Sequence, residues 1–435
     1  MKYYVEPKRE IPVVAEVDVL VLGGGPAGVA AAVSAAREGV SVMLVEQLGT
    51  VGGMSTSGLM SHWTGNTQGG FYEEILTRSA DLADTESYGF NGSPRQIINP
   101  ERLKTEYLNM LDEARVTLCL YTFFSDVIMQ DGKVAGAILE SKSGREAVYS
   151  KITIDCTGDG DAAAKAGAEF ILGREEDGAM QPATIMFKIG GVNYEQAVFP
   201  GKFEDHIQIP EGDIQKLGEN NLPHPAGHVL LYRTSLPGVV TCNMTNCTGI
   251  DGTNMKDLVR ATLVCRNQMK PIVEFLRQHV PGYQNCYLID SGDFLGIRET
   301  RHFKGVKTIT EKDIESARVF PDWAVTKAAF NFDIHNMTGN GLDATGVQDE
   351  FVQSKGYTIP YGCLVPEKKD GLLLAGRCIS GTHMAHANFR AMPICANMGQ
   401  AAGIAAALCV KENQQPRELN VSKLQKILIE NGVSL

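Results

Sequence analysis

The sequence predicts an α/β fold, with a parallel sheet opening on a strand–turn–helix–strand unit and a second domain inserted further along. Three observations predict it. Val17 to Leu22 is a short apolar run suited to a buried parallel strand. Gly23, Gly25 and Gly28 follow at G-x-G-x-x-G spacing and open an Ala-rich stretch. From about residue 180 to residue 357 the strand–helix alternation stops, and aromatic, His, Asn and Pro residues take over.

Each element has a local cause. The first glycine allows a tight turn, the second lets a phosphate approach the backbone, and the third lets helix and strand pack closely. The spacing predicts a helix from Pro26 to about Glu38, with Pro26 in the first turn, where a missing N–H costs little. Its free amides and dipole offer an anion site. Gly39 ends it, Val40 to Val45 forms the second strand, and Glu46 closes that strand 23 residues after Gly23. An acid about 20 residues on is placed to take ribose hydroxyls. Together these features read as a dinucleotide-binding unit. Gly52-Gly53, just past the acid, brings backbone close to the same ligand.

Asn99 to Ala114 reads as a helix and Val116 to Tyr121 as a strand. Strand-like segments at 124–129, 134–141 and 147–149 are joined by Asp131-Gly132 and Ser143-Gly144, two-residue turns that signal hairpins. Ile152 to Asp155 is a separate apolar strand that returns to the parallel sheet. Leu372-Leu-Leu is a last strand, and Pro393 to Val410 a helix of small and apolar residues. The expected division is 1–185 and 357–435 for the nucleotide-binding domain, with 186–356 between them.

Composition narrows the function. Hydrophobic residues at 43% and charged residues at 21% describe an ordinary globular protein. A net charge of −11 argues against nucleic acid or an anionic membrane as the main partner. Ten cysteines without a C-x-x-C point to free thiols in a reducing, cytoplasmic setting. No apolar leader is visible, and the Gly23–Pro26 cluster breaks the one stretch near it, Leu20 to Ala36, that resembles a membrane span. No second glycine-rich strand–turn–helix is present, so a bound nicotinamide cofactor is not expected.

Four segments carry a family resemblance: Val-Leu-Gly-Gly-Gly-Pro-Ala-Gly with Glu46; Gly52-Gly53-Met54-Ser55; Ile-Asp-Cys-Thr-Gly-Asp-Gly-Asp; and Tyr357 through Gly403. In these the chain resembles FAD-dependent oxidoreductases of the glutathione-reductase-like fold, in the bacterial branch near fumarate reductase and succinate dehydrogenase flavoproteins. The resemblance implies a Rossmann-like FAD-binding domain of three-layer ββα architecture, with an inserted α+β substrate or cap domain. It implies FAD held by Gly23, Gly25, Pro26, Ala27, Gly28, Glu46 and Gln47. Gly52, Gly53, Met54 and Ser55 would lie along the pyrophosphate and ribityl chain, with Thr157, Gly158 and Asp159 returning beside the cofactor. Gly376 and Arg377 would flank the ribityl chain, although many relatives carry an acid where Arg377 stands. Met398, Gly399 and Ala402, in the last helix, would follow a turn whose amides face the flavin.

Flavin chemistry asks the protein to place a substrate C–H and manage one proton. His383, His386 and Arg390 are therefore the leading catalytic candidates, followed by Arg301 and His335. A His titrates near neutrality, and an Arg clamps a carboxylate or neutralises a reduced flavin. Ordinary hydrogen bonds and an interdomain ion pair are the plainer roles for these residues. The His383–His386 spacing also suits a metal, but no carboxylate or Cys beside it completes a ligand set, so none is expected. Arg298, Arg301 and His302 form a second basic cluster. Asp333 and His335, two apart, would share a face only in a strand. His62 is a weak candidate for covalent flavin attachment.

The expected activity is hydride transfer between FAD and a small polar organic substrate, with oxidation of the substrate preferred and a separate electron acceptor. A reductase fed by a donor protein and a non-redox escort protein stay open, as does self-association into a homo-oligomer.

Overall fold

Strand β1 (Val13–Leu22) lies inside the main sheet because its C-terminal half is apolar on both faces. The computed structural model describes residues 2–88, 94–200, 205–343, 351, 353 and 355–435. A glycine turn leads from β1 into α1 (Pro26–Arg37) and then β2 (Val42–Val45). Helix α2 (Pro100–Glu113) starts at Asn99, whose side chain accepts from the Glu101 amide at 3.0 Å, as the sequence predicts. Then come β3 (Thr117–Cys119), β4 (Phe123–Gln130), β5 (Lys133–Ser141) and β6 (Gly144–Asp155). A late strand, β13 (Leu372–Leu374), joins β6, and the sheet runs β3-β2-β1-β6-β5-β4.

β6 corrects one expectation. Segments 147–149 and 152–155 are one strand of 12 residues, not two. Ser150 and Lys151 do not interrupt it: Ser150 bonds Thr153 at 2.9 Å, and exposed Lys151 pairs with Asp18 at 2.7 Å. β6 runs parallel to β1 from Ala147 to Asp155. On its other edge the first half pairs antiparallel with β5 and the last three residues pair parallel with β13.

Alternation along these strands builds three layers. Val19, Val21, Val42, Leu44, Ile152 and Ile154 point into the helix-side core. Leu20, Leu22, Met43 and Val45 point the other way, onto Ala137, Leu139 and Val148 of the antiparallel strands. The helix side is held by α1 against α6 (Met392–Glu412). A Cβ added at Gly399 would lie 2.0 Å from the Ala27 carbonyl oxygen, and one at Gly403 would lie 2.2 Å from that of Ala31. Backbone therefore meets backbone. α6 is long and apolar enough to cross a membrane, but it is buried over nearly its whole length in this core.

A second core gathers around four antiparallel strands, β8 (Phe187–Gly190), β9 (Leu231–Arg233), β10 (Val240–Cys242) and β11 (Tyr287–Ser291). Helix α4 (Met255–His279) lays Ala261, Cys265, Met269, Ile272 and Leu276 on it, a single helical stripe. Phe303, Trp323, Val325 and Phe332 belong to the first core, so the chain has returned there well before residue 356.

Gly399→Val should cost about 3 kcal/mol or more of stability, because neither helix backbone can yield. Chemical denaturation checks this; an unchanged midpoint would mean the two helices are not locked together.

Candidate active site

β1, β2, β6 and β13 end in register at Leu22, Val45, Asp155 and Leu374. Their following loops therefore share the carboxyl edge of the sheet, where ligands of parallel α/β folds bind.

The three glycines do different work there. At Gly23, with φ +95°, a Cβ would fall 2.5 Å from the Cys156 carbonyl oxygen. At Gly28 it would fall 1.8 Å from that of Gly23. At Gly25 it would meet nothing within 4 Å, and φ is an ordinary −68°. No side chain caps the helix that starts there at Pro26, so its first amides face this open space. Gly53 comes alongside, its Cβ position 3.3 Å from the Gly25 Cα, and Gly52 donates to the Gly24 carbonyl at 2.6 Å. Met54 and Ser55 complete a short turn closed by Ser55 Oγ donating to the Gly52 carbonyl at 2.6 Å. An open cradle before uncapped amides fits a pyrophosphate.

Glu46 is buried at the end of β2. Its carboxylate accepts from the Gly24 amide at 2.7 Å and the Leu48 amide at 2.9 Å. Burial pushes its pKa up, against the lowering effect of those donors. Gln47 beside it is exposed.

The third loop is organised by Asp155, whose role is not apparent in the sequence. Its carboxylate accepts from the Thr157 amide at 3.1 Å, the Thr157 hydroxyl at 2.7 Å and the Ala163 amide at 2.8 Å. Burial pushes its pKa up to about 6. The next acid, Asp159, pairs with Arg377 at 2.8 Å and accepts from the Thr300 hydroxyl at 2.6 Å.

Arg301 donates to the Asp159 carbonyl at 2.9 Å and to Asp161 at 2.8 Å. These bonds brace the Thr157–Asp159 loop. Gly376, at φ +95°, brings backbone to α1, its Cβ position 3.4 Å from the Ala27 Cβ. Gly399, another expected cofactor contact, packs α6 onto α1 at Ala27. Met398 and Ala402 are fully enclosed in the same core, and Ala27 itself is buried.

The histidines stand apart from one another in role. Helix α5 (His383–Phe389) starts at Thr382, whose hydroxyl accepts from the Ala385 amide. His383 Nδ1 lies 2.5 Å from Glu299 Oε1, and His302 Nε2 lies 2.8 Å from the same oxygen. The Gln181 amide donates to the other oxygen at 3.1 Å. Burial opposes charge on both partners, yet the Glu299 bond carries His383 above its ordinary pKa. The two histidine bonds hold Glu299 well below its own. His386 sits edge-on to His302 with ring centroids 4.7 Å apart, and burial keeps it neutral. The premise that no carboxylate stands near the His383–His386 pair is therefore wrong. Glu299, 84 residues away in the chain, supplies one. Its only sequence signal was a Glu three residues before His302.

Asp333 forms the other polar centre. Arg390 Nη2 donates to its carboxylate and its carbonyl, both at 2.8 Å, and His335 Nε2 lies 3.5 Å away. Asp333 and His335 meet without the strand the sequence reading required, because the backbone there is irregular. Arg298, nearly fully buried, donates to the Pro182 carbonyl at 2.6 Å. Burial and Arg298 push His335 down to about 4, and burial together with Arg390 pushes Arg298 down to about 10. The Nε of Arg390 is buried without a hydrogen-bond partner. His62 is buried and stacks on Tyr232 at 4.6 Å.

A cradle for a pyrophosphate, a buried acid at the second strand and a returning Thr-Gly-Asp loop define a dinucleotide-binding flavoprotein. Over residues 18–428 the chain matches the FAD dependent oxidoreductase family, and it belongs to that family. It is an FAD enzyme with redox activity. No curated protein matches it in sequence. Among solved structures it is similar to a geranylgeranyl bacteriochlorophyll reductase-like protein of Thermoplasma acidophilum. That match has 15% identity, covers 96% of this chain and 84% of that one, and has a TM-score of 0.48. The flavin-dependent brominase Bmp2 gives 12%, 95%, 83% and 0.47. The myxobacterial FAD-dependent halogenase CndH gives 12%, 95%, 78% and 0.44.

Gly25→Ala fills the open cradle without steric conflict. It should weaken FAD binding by about tenfold or more, roughly 1.4 kcal/mol, and leave the Tm of the stripped protein unchanged. Unchanged affinity by fluorescence titration would place the pyrophosphate elsewhere.

Asp155 predicts a pH effect. A folded pKa raised above the unfolded value contributes stability that is full below about pH 4 and is lost as pH rises through about 6. Denaturation of stripped Asp155→Asn should show a flatter slope than wild type across that window. Parallel slopes would remove Asp155 as the cause.

Proposed function

We propose that this enzyme moves a hydride between FAD and a small organic acid, oxidising the acid, and that Arg298 and Arg390 take the substrate's anionic group. One observation carries the reading. Two largely buried guanidiniums share a single carboxylate, Asp333, and the Arg390 Nε has no partner. With His335 neutral and Asp333 the one carboxylate set against both guanidiniums among the described residues, one positive charge is left over, and a buried charge calls for a counter-ion. A planar carboxylate suits the guanidinium fork.

FAD, when bound, supplies the two-electron carrier. Gly23 to Gly28, Glu46, Gly52, Gly53, Thr157, Gly158, Asp159, Gly376 and Arg377 are the residues that would hold it. His335 is the acid–base group of this reading, kept neutral by burial and by Arg298 and oriented by Asp333. His383 is engaged by Glu299 and drops out of that role. The direction rests on the single glycine-rich motif of the sequence, which leaves electrons to come from substrate and pass to a separate acceptor. Ten free thiols agree with a reducing cytoplasmic setting.

Anaerobic addition of hydroxy acids, amino acids and neutral sugars to the flavin-loaded enzyme tests this. Carboxylate-bearing compounds should bleach the flavin band, and Arg390→Met should raise KM about 10–100-fold. Equal bleaching by neutral sugars, with Arg390→Met unaffected, would contradict it. Reoxidation of chemically reduced enzyme by an unsaturated acid would reverse the direction.

A further inference from the structure

Glu299, His302 and His386 are all buried, and one ligand atom of each lies within 4.8 Å of those of the other two. The carboxylate is oriented from behind: the Gln181 amide holds Oε2 at 3.1 Å, and His383 Nδ1 lies 2.5 Å from Oε1. Such outer hydrogen bonds fix the carboxylates of metal centres. His302 and His386 each keep a buried Nδ1 that has no hydrogen-bond partner. In a pure hydrogen-bonded relay these nitrogens would be expected to find partners, since leaving a buried polar atom unpaired costs about 1–3 kcal/mol. Two imidazoles and one carboxylate, with coordination positions left open, are a donor set for a divalent first-row transition metal.

We propose that Glu299, His302 and His386 form a site for one such ion, with His383 and the Gln181 amide holding the carboxylate in place. The inference does not rest on the hydride-transfer reading. The site is tied to the cofactor loop through the chain itself. Thr300, next to Glu299, bonds Asp159, and Arg301 bonds the Asp159 carbonyl and Asp161. Occupancy would therefore stiffen the loop that returns beside the flavin.

The test uses the flavin-loaded protein, purified without chelator, for elemental analysis. It is then stripped with a chelator and titrated with Co2+, whose visible d–d bands report nitrogen and oxygen ligation. The expected result is about one Co2+ per chain with these bands. Glu299→Gln and His302→Ala should each weaken binding at least about tenfold while flavin content stays at the wild-type level, which verifies folding. Absence of Co2+ bands in the wild-type protein overturns the proposal, whatever the variants do. Equal Co2+ affinity in flavin-replete Glu299→Gln and wild type overturns it as well. Should either variant lose its flavin, X-ray absorption of the Co2+-loaded wild type decides. Imidazole scattering supports the site, and its absence overturns it.

Discussion

The carboxyl edge depends on one backbone contact, Gly28 against the carbonyl of Gly23. With no room for even a methyl group, the first turn of α1 is pressed onto the end of β1. That contact aims the uncapped amides past Gly25 into open space. The same helix is pressed from behind by α6, where Gly399 and Gly403 accept the carbonyls of Ala27 and Ala31. A phosphate cradle built from backbone needs such rigidity, because amides preorganised by packing need not reorder when an anion arrives.

Buried and half-buried acids then join the loops around that cradle. Glu46 ties the glycine turn to the end of β2, and Asp155 ties the end of β6 to the following helix. Asp159 ties that loop to Arg377 and Thr300. Each is satisfied by amides, hydroxyls or a guanidinium, the condition under which a buried carboxylate is tolerated. Glu299 and Asp333 extend this pattern toward the inserted region. Glu299 gathers histidines at the start of α5, and Asp333 takes Arg390 at its end, so the two polar centres differ in chemistry.

The dinucleotide unit was legible because every part of it lies within thirty or so residues and each part has a local steric reason. The Asn99 cap and the Asp-Gly turn were legible for the same reason. What escaped was set by tertiary distance. Nothing near His383 announces Glu299, and nothing near Arg301 announces that Asp159 and Asp161 would claim it. The packing role of Gly399 was hidden because a glycine at a helix crossing and a glycine at a ligand look alike in sequence, and its contact with Ala27 shows only in the fold. Asp155 was passed over as a strand end, since its three donors come from residues that fold back beside it.

FAD bound across the carboxyl edge would rest its pyrophosphate on the amides at the start of α1. A crystal structure of the FAD-loaded protein tests it most directly. Pyrophosphate oxygens are expected within hydrogen-bond distance of the amides around Gly25, and the adenosine ribose beside Glu46. Density placing the pyrophosphate away from Gly25, with that cradle filled by solvent alone, would contradict it.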